Sequence, residues 1–402
     1  MIKHKKYLLF LGFFIVIFLI VPFINQPLFS IAADANWKNI GKGNLNVMET
    51  SEGYVLYPIP ANYVRGLHGV DVREFKIATN SAYKLTDNSV TPLEIKEKAV
   101  QLGNDIENIS QINGLAFLRS KVNTQRINTG DIVTDSNEGL NLWLISNDGD
   151  FKPLLDNSNL NSLKKTLQDI NSKNYLIWSS DPNVFNGGNL IAYLSNRTTI
   201  TKGNGGTSVH VVNSDGTNDT KIISSEEYGS VRIIGAEKNV VAAHSPRNKS
   251  VIIANGLTRE IQEFFIDGWP HSLSSNAKYI FFRKLDGSMV TQNMYILDLE
   301  TGEENKLTGI PEGYFYNTGG AWSPDGKLFA FYANGENLID DKLFYRDNNL
   351  LVIVDATTNK IKSYGKPPNN KALYPLGSIQ WIGNSKVITY SVDDTTWMVN
   401  IK

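Results

Sequence analysis

At 402 residues without one cysteine, the chain can form no disulfide, thiolate metal site or cysteine nucleophile. Its 39 Lys and Arg offset 40 Asp and Glu, so the net charge of −1 supplies no global field for nucleic acid or an anionic surface.

The chain opens on a targeting segment. Lys3, Lys5 and Lys6 form a basic start, and no charge follows from Tyr7 to Ala33. The apolar run Tyr7–Ile24 is long enough to cross a bilayer as a helix. Its positive flank predicts an N-terminus kept in the cytoplasm and a remainder that is exported. Ser30-Ile31-Ala32-Ala33 and Ala33-Asp34-Ala35 offer small-residue processing sites. Residues 1–33 are therefore expected to be a signal peptide or a membrane anchor, two outcomes that stay open, followed by one exported domain at 36–402. The location expected is extracytoplasmic, secreted or held by the N-terminal helix, and a bacterial envelope suits it. An exported chain without disulfides has to be stable through burial, which a large closed repeat architecture provides.

The exported part repeats one unit, most complete at Trp322-Ser323-Pro324-Asp325-Gly326-Lys327 followed by Leu328-Phe329-Ala330-Phe331-Tyr332. Pro presets φ at the first turn position, Asp bonds back to the backbone and Gly takes the φ > 0 seat. The motif predicts a first strand ending in a marker residue, a tight turn, then an apolar second strand. In chain order the markers are Met48 before Tyr54–Tyr57, Ile109 before Leu115–Leu118, and Trp178 before Ser179–Pro182, an insertion and Leu190–Tyr193. They continue with Ile234 before Val240–Ala243, Leu273 before Ser274–Lys278 and Tyr279–Phe282, then Trp322, then Trp381 before Val387–Tyr390. Third strands ending in polar turns are expected at Leu142–Ile145, Val209–Val212, Met294–Leu297 and Leu351–Val354, the third with the turn Asp298–Gly302. The mean marker spacing of about 55 residues is somewhat above the WD-type propeller period. Thr396–Ile401 reads as a third strand lacking a fourth, and Asn36–Ile40 as a fourth strand lacking the first three. Pairing them would remove two free edges. The fold class expected is all-β, a β-propeller of four-stranded antiparallel blades, seven favoured and six the alternative.

The Trp322–Lys327 motif, its weaker copies and the Asp298–Gly302 turn resemble the repeat of TolB-type propellers, and also that of the propeller in prolyl-oligopeptidase-like enzymes. The resemblance implies a propeller over nearly all of the exported chain and an envelope protein that binds other proteins. Fold alone assigns no activity. The chain has no G-x-S-x-G elbow and no stretch left over for the hydrolase domain of the second group.

Long connections between second and third strands fall at Pro58–Val70, Lys121–Gly139, Arg197–Thr207 and Ala333–Asn348. Long links between units fall at Asp87–Asp105, Asp156–Asn174 and Lys366–Tyr374. In a propeller both classes emerge on one face, and elaborated loops on a rigid scaffold are where binding resides. The candidate binding residues are accordingly Tyr63, Arg65 and His68 in the first such loop, and Glu336, Asp340, Asp341, Tyr345 and Arg346 in the sixth unit's loop. Aromatic and Arg side chains beside acids suit a protein or glycan surface. Leu160–Ile170 has helical spacing and is expected to pack over a junction between units. His68, His210, His244 and His271 are scattered without ligand spacing, and His210, inside a strand, is expected to be a packed residue. Ser214–Asp219 and Asn147–Asp150 read as turns rather than calcium loops. The function expected is non-enzymatic binding of an envelope protein or cell-wall glycan by a monomer, without cofactor, metal or nucleic acid, and with membrane contact only through the N-terminal helix. The alternative is a glycan hydrolase or lyase using loop carboxylates such as Asp340-Asp341 or Asp393-Asp394.

Overall fold

The turn after Trp322 sets the local rule. Ser323 Oγ donates to Asp325 Oδ1 at 2.7 Å, and the same carboxylate accepts from Lys327 N at 3.1 Å. Leu328 N donates to Ser323 Oγ at 2.9 Å, and Gly326 takes φ 69°. The turn after Leu273 repeats this atom for atom. Ser274 Oγ donates to Asn276 Oδ1 at 2.7 Å, Lys278 N to Asn276 Oδ1 at 3.0 Å, and Tyr279 N to Ser274 Oγ at 2.8 Å. Ala277 stands where Gly326 stands, at φ 58°. The repeat read from sequence is thus one hydrogen-bonded device built twice with different residues.

The computed structural model describes residues 36–43, short strands between 45 and 153, residues 154–155, and then residues 178–198, 206–285, 292–310, 314–316, 320–335, 338–339, 342–343, 349–374 and 379–401. Residues 1–33 and the expected helix at 160–170 lie outside them. The described chain is all-β, with one short α-helix at Ser225–Tyr228 and two single 3-10 turns at Asn186–Gly188 and Pro368–Asn370.

Among the described residues seven antiparallel sheets have four or more strands. Sheet 1 comprises Leu45–Thr50, Gly53–Pro58, Ala82–Leu85 and Val90–Leu93. Sheet 2 comprises Ile106–Ile112, Leu115–Ser120, Leu142–Ile145 and Phe151–Pro153. Sheet 3 comprises Ser179–Phe185, Leu190–Ser195, Ser208–Asn213 and Thr220–Ile223. Sheet 4 comprises Arg232–Glu237, Val240–Ser245, Ser250–Asn255 and Ile261–Phe265. Sheet 5 comprises Trp269–Leu273, Tyr279–Leu285, Gln292–Asp298 and Glu304–Lys306. In sheet 6, Tyr314–Tyr316 and Ala321–Trp322 both pair with Leu328–Gly335, followed by Asn349–Asp355 and Lys360–Tyr364. Sheet 7 comprises Gln380–Ile382, Lys386–Ser391 and Thr395–Asn400, and its fourth strand is Lys38–Lys42. Lys38 stands opposite Met398 and Lys42 opposite Thr395. This succession of meandering four-stranded sheets is consistent with a β-propeller.

First strands lie beside first strands: that of sheet 3 by that of sheet 4, sheet 4 by sheet 5, sheet 6 by sheet 7, and sheet 7 by sheet 1. The marker tryptophans join them. Trp322 Nε1 donates to Ser272 Oγ of sheet 5 at 2.9 Å, and Trp381 Nε1 to Ala321 O of sheet 6 at 2.9 Å. Between sheets 5 and 6 the core is aromatic. Phe281 and Phe329 are 4.4 Å apart by ring centroids, Phe281 and Tyr316 4.9 Å, and Trp322 and Phe329 4.9 Å.

Two of the expected first turns are displaced. After Trp178 the chain does not turn at Ser179–Pro182 but runs on as a strand to Phe185, and the reversal comes at Asn186–Gly188. Asp181 takes φ 53° and Pro182 lacks an N–H, so the ladder is interrupted between Ser180 and Asn183 as a bulge and then resumes. In sheet 4 the first strand likewise continues past Ile234 to Glu237, with a register shift between Ile233 and Gly235 and the turn at Lys238, φ 53°. Register shifts also interrupt the first strands of sheets 2 and 5.

The first turns of adjacent sheets touch. Asp325 N donates to Asn384 Oδ1 at 3.0 Å, and a Cβ placed on Gly326 would stand 2.4 Å from Asn276 N. Gly326→Ala therefore combines left-handed strain with a backbone clash and is expected to lower stability by at least about 1 kcal/mol. Ala277→Gly removes the same strain and is expected to raise stability by up to about 1 kcal/mol. Urea denaturation midpoints check both signs.

Candidate functional site

All eight residues expected to bind, Tyr63, Arg65, His68, Glu336, Asp340, Asp341, Tyr345 and Arg346, lie outside the described residues. The loops that hold or neighbour them do carry described backbone pairings. Glu74–Lys76, between the second and third strands of sheet 1, pairs with Ala99–Gln101, in the link from sheet 1 to sheet 2. The two classes of connection thus meet on one side. Thr124–Arg126 pairs with Ile132–Thr134, and Leu338–Ile339 with Lys342–Leu343, so two other long connections carry hairpins of their own.

Several other candidates are absorbed by local structure. Asp215 Oδ1 accepts from Thr217 N at 2.9 Å and Thr217 Oγ1 at 2.6 Å, which is turn chemistry. Asp393 accepts from Lys371, Ser391 and Thr395, and Asp394 from Tyr390 Oη, so this acid pair is tied into the turn that ends the second strand of sheet 7. His210 is buried in its strand beside Tyr193, with ring centroids 5.3 Å apart. Among the described residues no three His, Asp or Glu side chains gather as a metal site.

The described residues instead assemble a site from sheets 4, 5 and 6, at the end where second-to-third connections and inter-sheet links emerge. Arg232 opens the first strand of sheet 4 and stands opposite His244. Trp269 opens the first strand of sheet 5 and stands opposite Arg283. His271 is the residue that the register shift between Pro270 and Ser272 leaves without a cross-strand partner. A bulge re-aims a side chain. Here the His271 ring lies 4.5 Å from Tyr316 of sheet 6 and 5.9 Å from Phe281. Arg232 Nη2 donates to Pro270 O at 3.1 Å, and its guanidinium carbon is 5.6 Å from the Trp269 ring. His244 meets Trp269 edge-on at 6.0 Å. The connection over sheet 4, residues 246–249, is short, and Trp269 is 44% exposed.

Among the described residues, the charges that act on the two histidines of this site are both guanidiniums. Burial, then the guanidiniums of Arg283 and Arg232, push His271 down to about 3. Burial and then Arg232 push His244 down to about 4. Arg232 is itself lowered, by burial and then by Arg283. Burial pushes Tyr316 up to about 12. The site at neutral pH therefore holds two fixed cations and two uncharged imidazoles. His244 Nδ1 and His271 Nε2 are buried without a hydrogen-bond partner, and His244 is only 3% exposed. Guanidinium forks match oxyanions, a neutral imidazole nitrogen exchanges hydrogen bonds with hydroxyls, and an exposed indole offers a flat apolar face. The arrangement is suited to holding an anion.

None of these six residues was singled out from sequence as a binding residue. They lie inside strands of three different repeats, and only the strand register brings them together.

The two depressed histidines make stability depend on pH. An unfolded histidine titrates near 6.5. Below that value the unfolded state takes up protons that buried His244 and His271 refuse, so stability is full above about pH 6.5 and falls as pH drops toward about 4. Thermal midpoints measured from pH 7.5 to 4.5 are expected to decline. The decline is expected to flatten in His271→Gln.

Neither a protein-family model nor a curated protein matches the chain. Among solved structures it is similar to TolB from Acinetobacter baumannii at 14% identity, over 89% of this chain and 79% of that one, with a TM-score of 0.38. It is similar to a putative TolB from Agrobacterium tumefaciens at 12% identity, over 76% and 94%, with a TM-score of 0.40. It is also similar to the β-propeller domain of the Trilobed protease from Pyrococcus furiosus at 11% identity, over 71% and 77%, with a TM-score of 0.42. Hydrolases and lyases match as well, at TM-scores from 0.39 to 0.46. The solved structures that resemble this chain thus include both TolB proteins and enzymes.

Proposed function

We propose that the chain is an extracytoplasmic propeller that binds an envelope protein or glycan and performs no reaction on it. In this reading the seven large sheets are seven blades, the pairing of Lys38–Lys42 with Thr395–Asn400 closes their ring, and residues 1–33 carry the chain out of the cytoplasm. Binding takes place on the face where second-to-third connections and inter-sheet links emerge. The observation that carries the reading is the cluster of Arg232, His244, Trp269, His271, Arg283 and Tyr316 on that face. Arg and Trp at the centre of a surface are residue types that dominate binding energetics.

The test is capture. The tagged full-length chain, purified in mild detergent, is incubated with envelope extract, half of it protease-treated to leave only glycan. Bound material is expected in at least one half, and Trp269→Ala is expected to reduce it at least fivefold. Equal capture by Trp269→Ala and the unaltered chain would remove the site from the binding face and the reading with it.

A further inference from the structure

We infer that the outer strand of sheet 4, Ile261–Phe265, is a docking edge for an extended segment of a partner protein, which adds to it as a further strand. The segment places a basic residue opposite Glu263 and apolar residues opposite Ile261 and Phe265. This surface is separate from the loop-side cluster and does not depend on it. The strand is the last of its sheet and pairs with Ser250–Asn255 on one side only. Asn255 N donates to Glu260 O at 2.9 Å, and Ile266 N to Lys249 O at 2.8 Å. Residues of an antiparallel ladder alternate in this role, so Gln262 and Phe264 turn their backbone groups inward. Ile261, Glu263 and Phe265 turn theirs outward, where no strand among the described residues meets them.

Such an edge is ordinarily blunted by lysine, proline or irregularity. The outer strand of every other large sheet carries a lysine or a proline: Pro92 in sheet 1, Lys152 in sheet 2, Lys221 in sheet 3, Lys306 in sheet 5, Lys362 in sheet 6 and Lys38 in sheet 7. Ile261–Phe265 carries neither. It presents large apolar side chains instead, with Phe265 69% exposed and Ile261 43%. Both share one face with Glu263, whereas Phe264, on the other face, packs into the core shared with sheet 5. Charge decides between the occupants. In the two-fold antiparallel register that pairs the whole strand of two copies, Glu263 stands opposite Glu263, and like charges directly opposite are unfavourable. A segment of another protein can put lysine or arginine there. Ser250 Oγ donates to Glu263 Oε1 at 2.5 Å and steadies the carboxylate for such a partner. The added strand gains affinity from the outward backbone groups and selectivity from its alternate side chains.

Fluorescence anisotropy of labelled peptides, titrated with the full-length chain in detergent, tests this. The probe is a short capped peptide with valine, lysine and valine at alternate positions and threonine between them. One control carries glutamate in place of the lysine, and another has an N-methylated backbone. The lysine peptide is expected to bind saturably, the glutamate peptide about tenfold more weakly, and the N-methylated peptide not at all. Glu263→Lys is expected to reverse the order of the lysine and glutamate peptides. Ile261→Lys, which gives this edge the protection of the others, is expected to weaken the lysine peptide at least about tenfold. Both side chains are exposed, so both variants are expected to fold. Lys306→Gln, on the outer strand of sheet 5, is expected to leave binding unchanged. Absence of binding by every peptide would overturn the proposal, as would equal binding of the N-methylated peptide or an order that Glu263→Lys does not change. Sedimentation equilibrium separates the other occupant. A dimer that Ile261→Lys dissociates would overturn the partner segment and make a second copy the occupant.

Discussion

Phe329 and Phe331 lie on one face of the second strand of sheet 6, Ala330 and Tyr332 on the other, and all four are fully buried. Successive side chains of a strand point to opposite faces, so this one strand belongs to two cores. Phe329 and Phe331 pack with Phe281 and Trp322, whereas Ala330 and Tyr332 pack with Leu373, Val387 and Val399. The second strands of sheets 3, 4 and 5 are built alike. Leaving one large apolar side chain in water forgoes about 1.5–3 kcal/mol, so no sheet of this kind is stable with an uncovered face. Each requires a neighbour on both sides, and the rest of the architecture answers that need, including the indole hydrogen bonds from Trp322 and Trp381 to the preceding sheet.

The same constraint explains what could be read from sequence. A strand buried on both faces reads as an unbroken apolar run, and the tetrads at Leu190, Val240, Tyr279, Leu328 and Val387 all begin or lie within second strands. The turns were legible because their chemistry is local. Asp298 Oδ1 accepts from Glu300 N and Thr301 N, with Gly302 at φ 76°, within five consecutive residues. The displaced turns of sheets 3 and 4 were not legible, because a bulge inserts a residue without changing composition. Asp181-Pro182 has the composition of a turn but serves as an interruption within a strand.

The candidate site was hidden for a related reason. Histidines judged by spacing along the chain are scattered, because metal-ligand motifs are local and this site is not. One signal was present in the repeats themselves. Arg232 precedes Ile234 as His271 precedes Leu273, and His244 follows Ile234 as Arg283 follows Leu273. Aligned by column rather than read in line, the four basic residues fall into the same two columns of adjacent repeats. The bulge that obscures the first strand of sheet 5 is also what turns His271 toward sheet 6.

The fourth strand of sheet 7 has a direction. Lys38 stands opposite Met398 and Lys42 opposite Thr395, and Gly43 N donates to Asp394 O, beside the turn that opens the third strand. The strand therefore enters from the short-turn side and leaves toward the loop side. Trp37, just before it, is fastened to sheet 6 by its indole bond to Gly365 O at 3.0 Å. This strand thus begins at the end of the sheets opposite to the one where Arg232 and Trp269 open their strands.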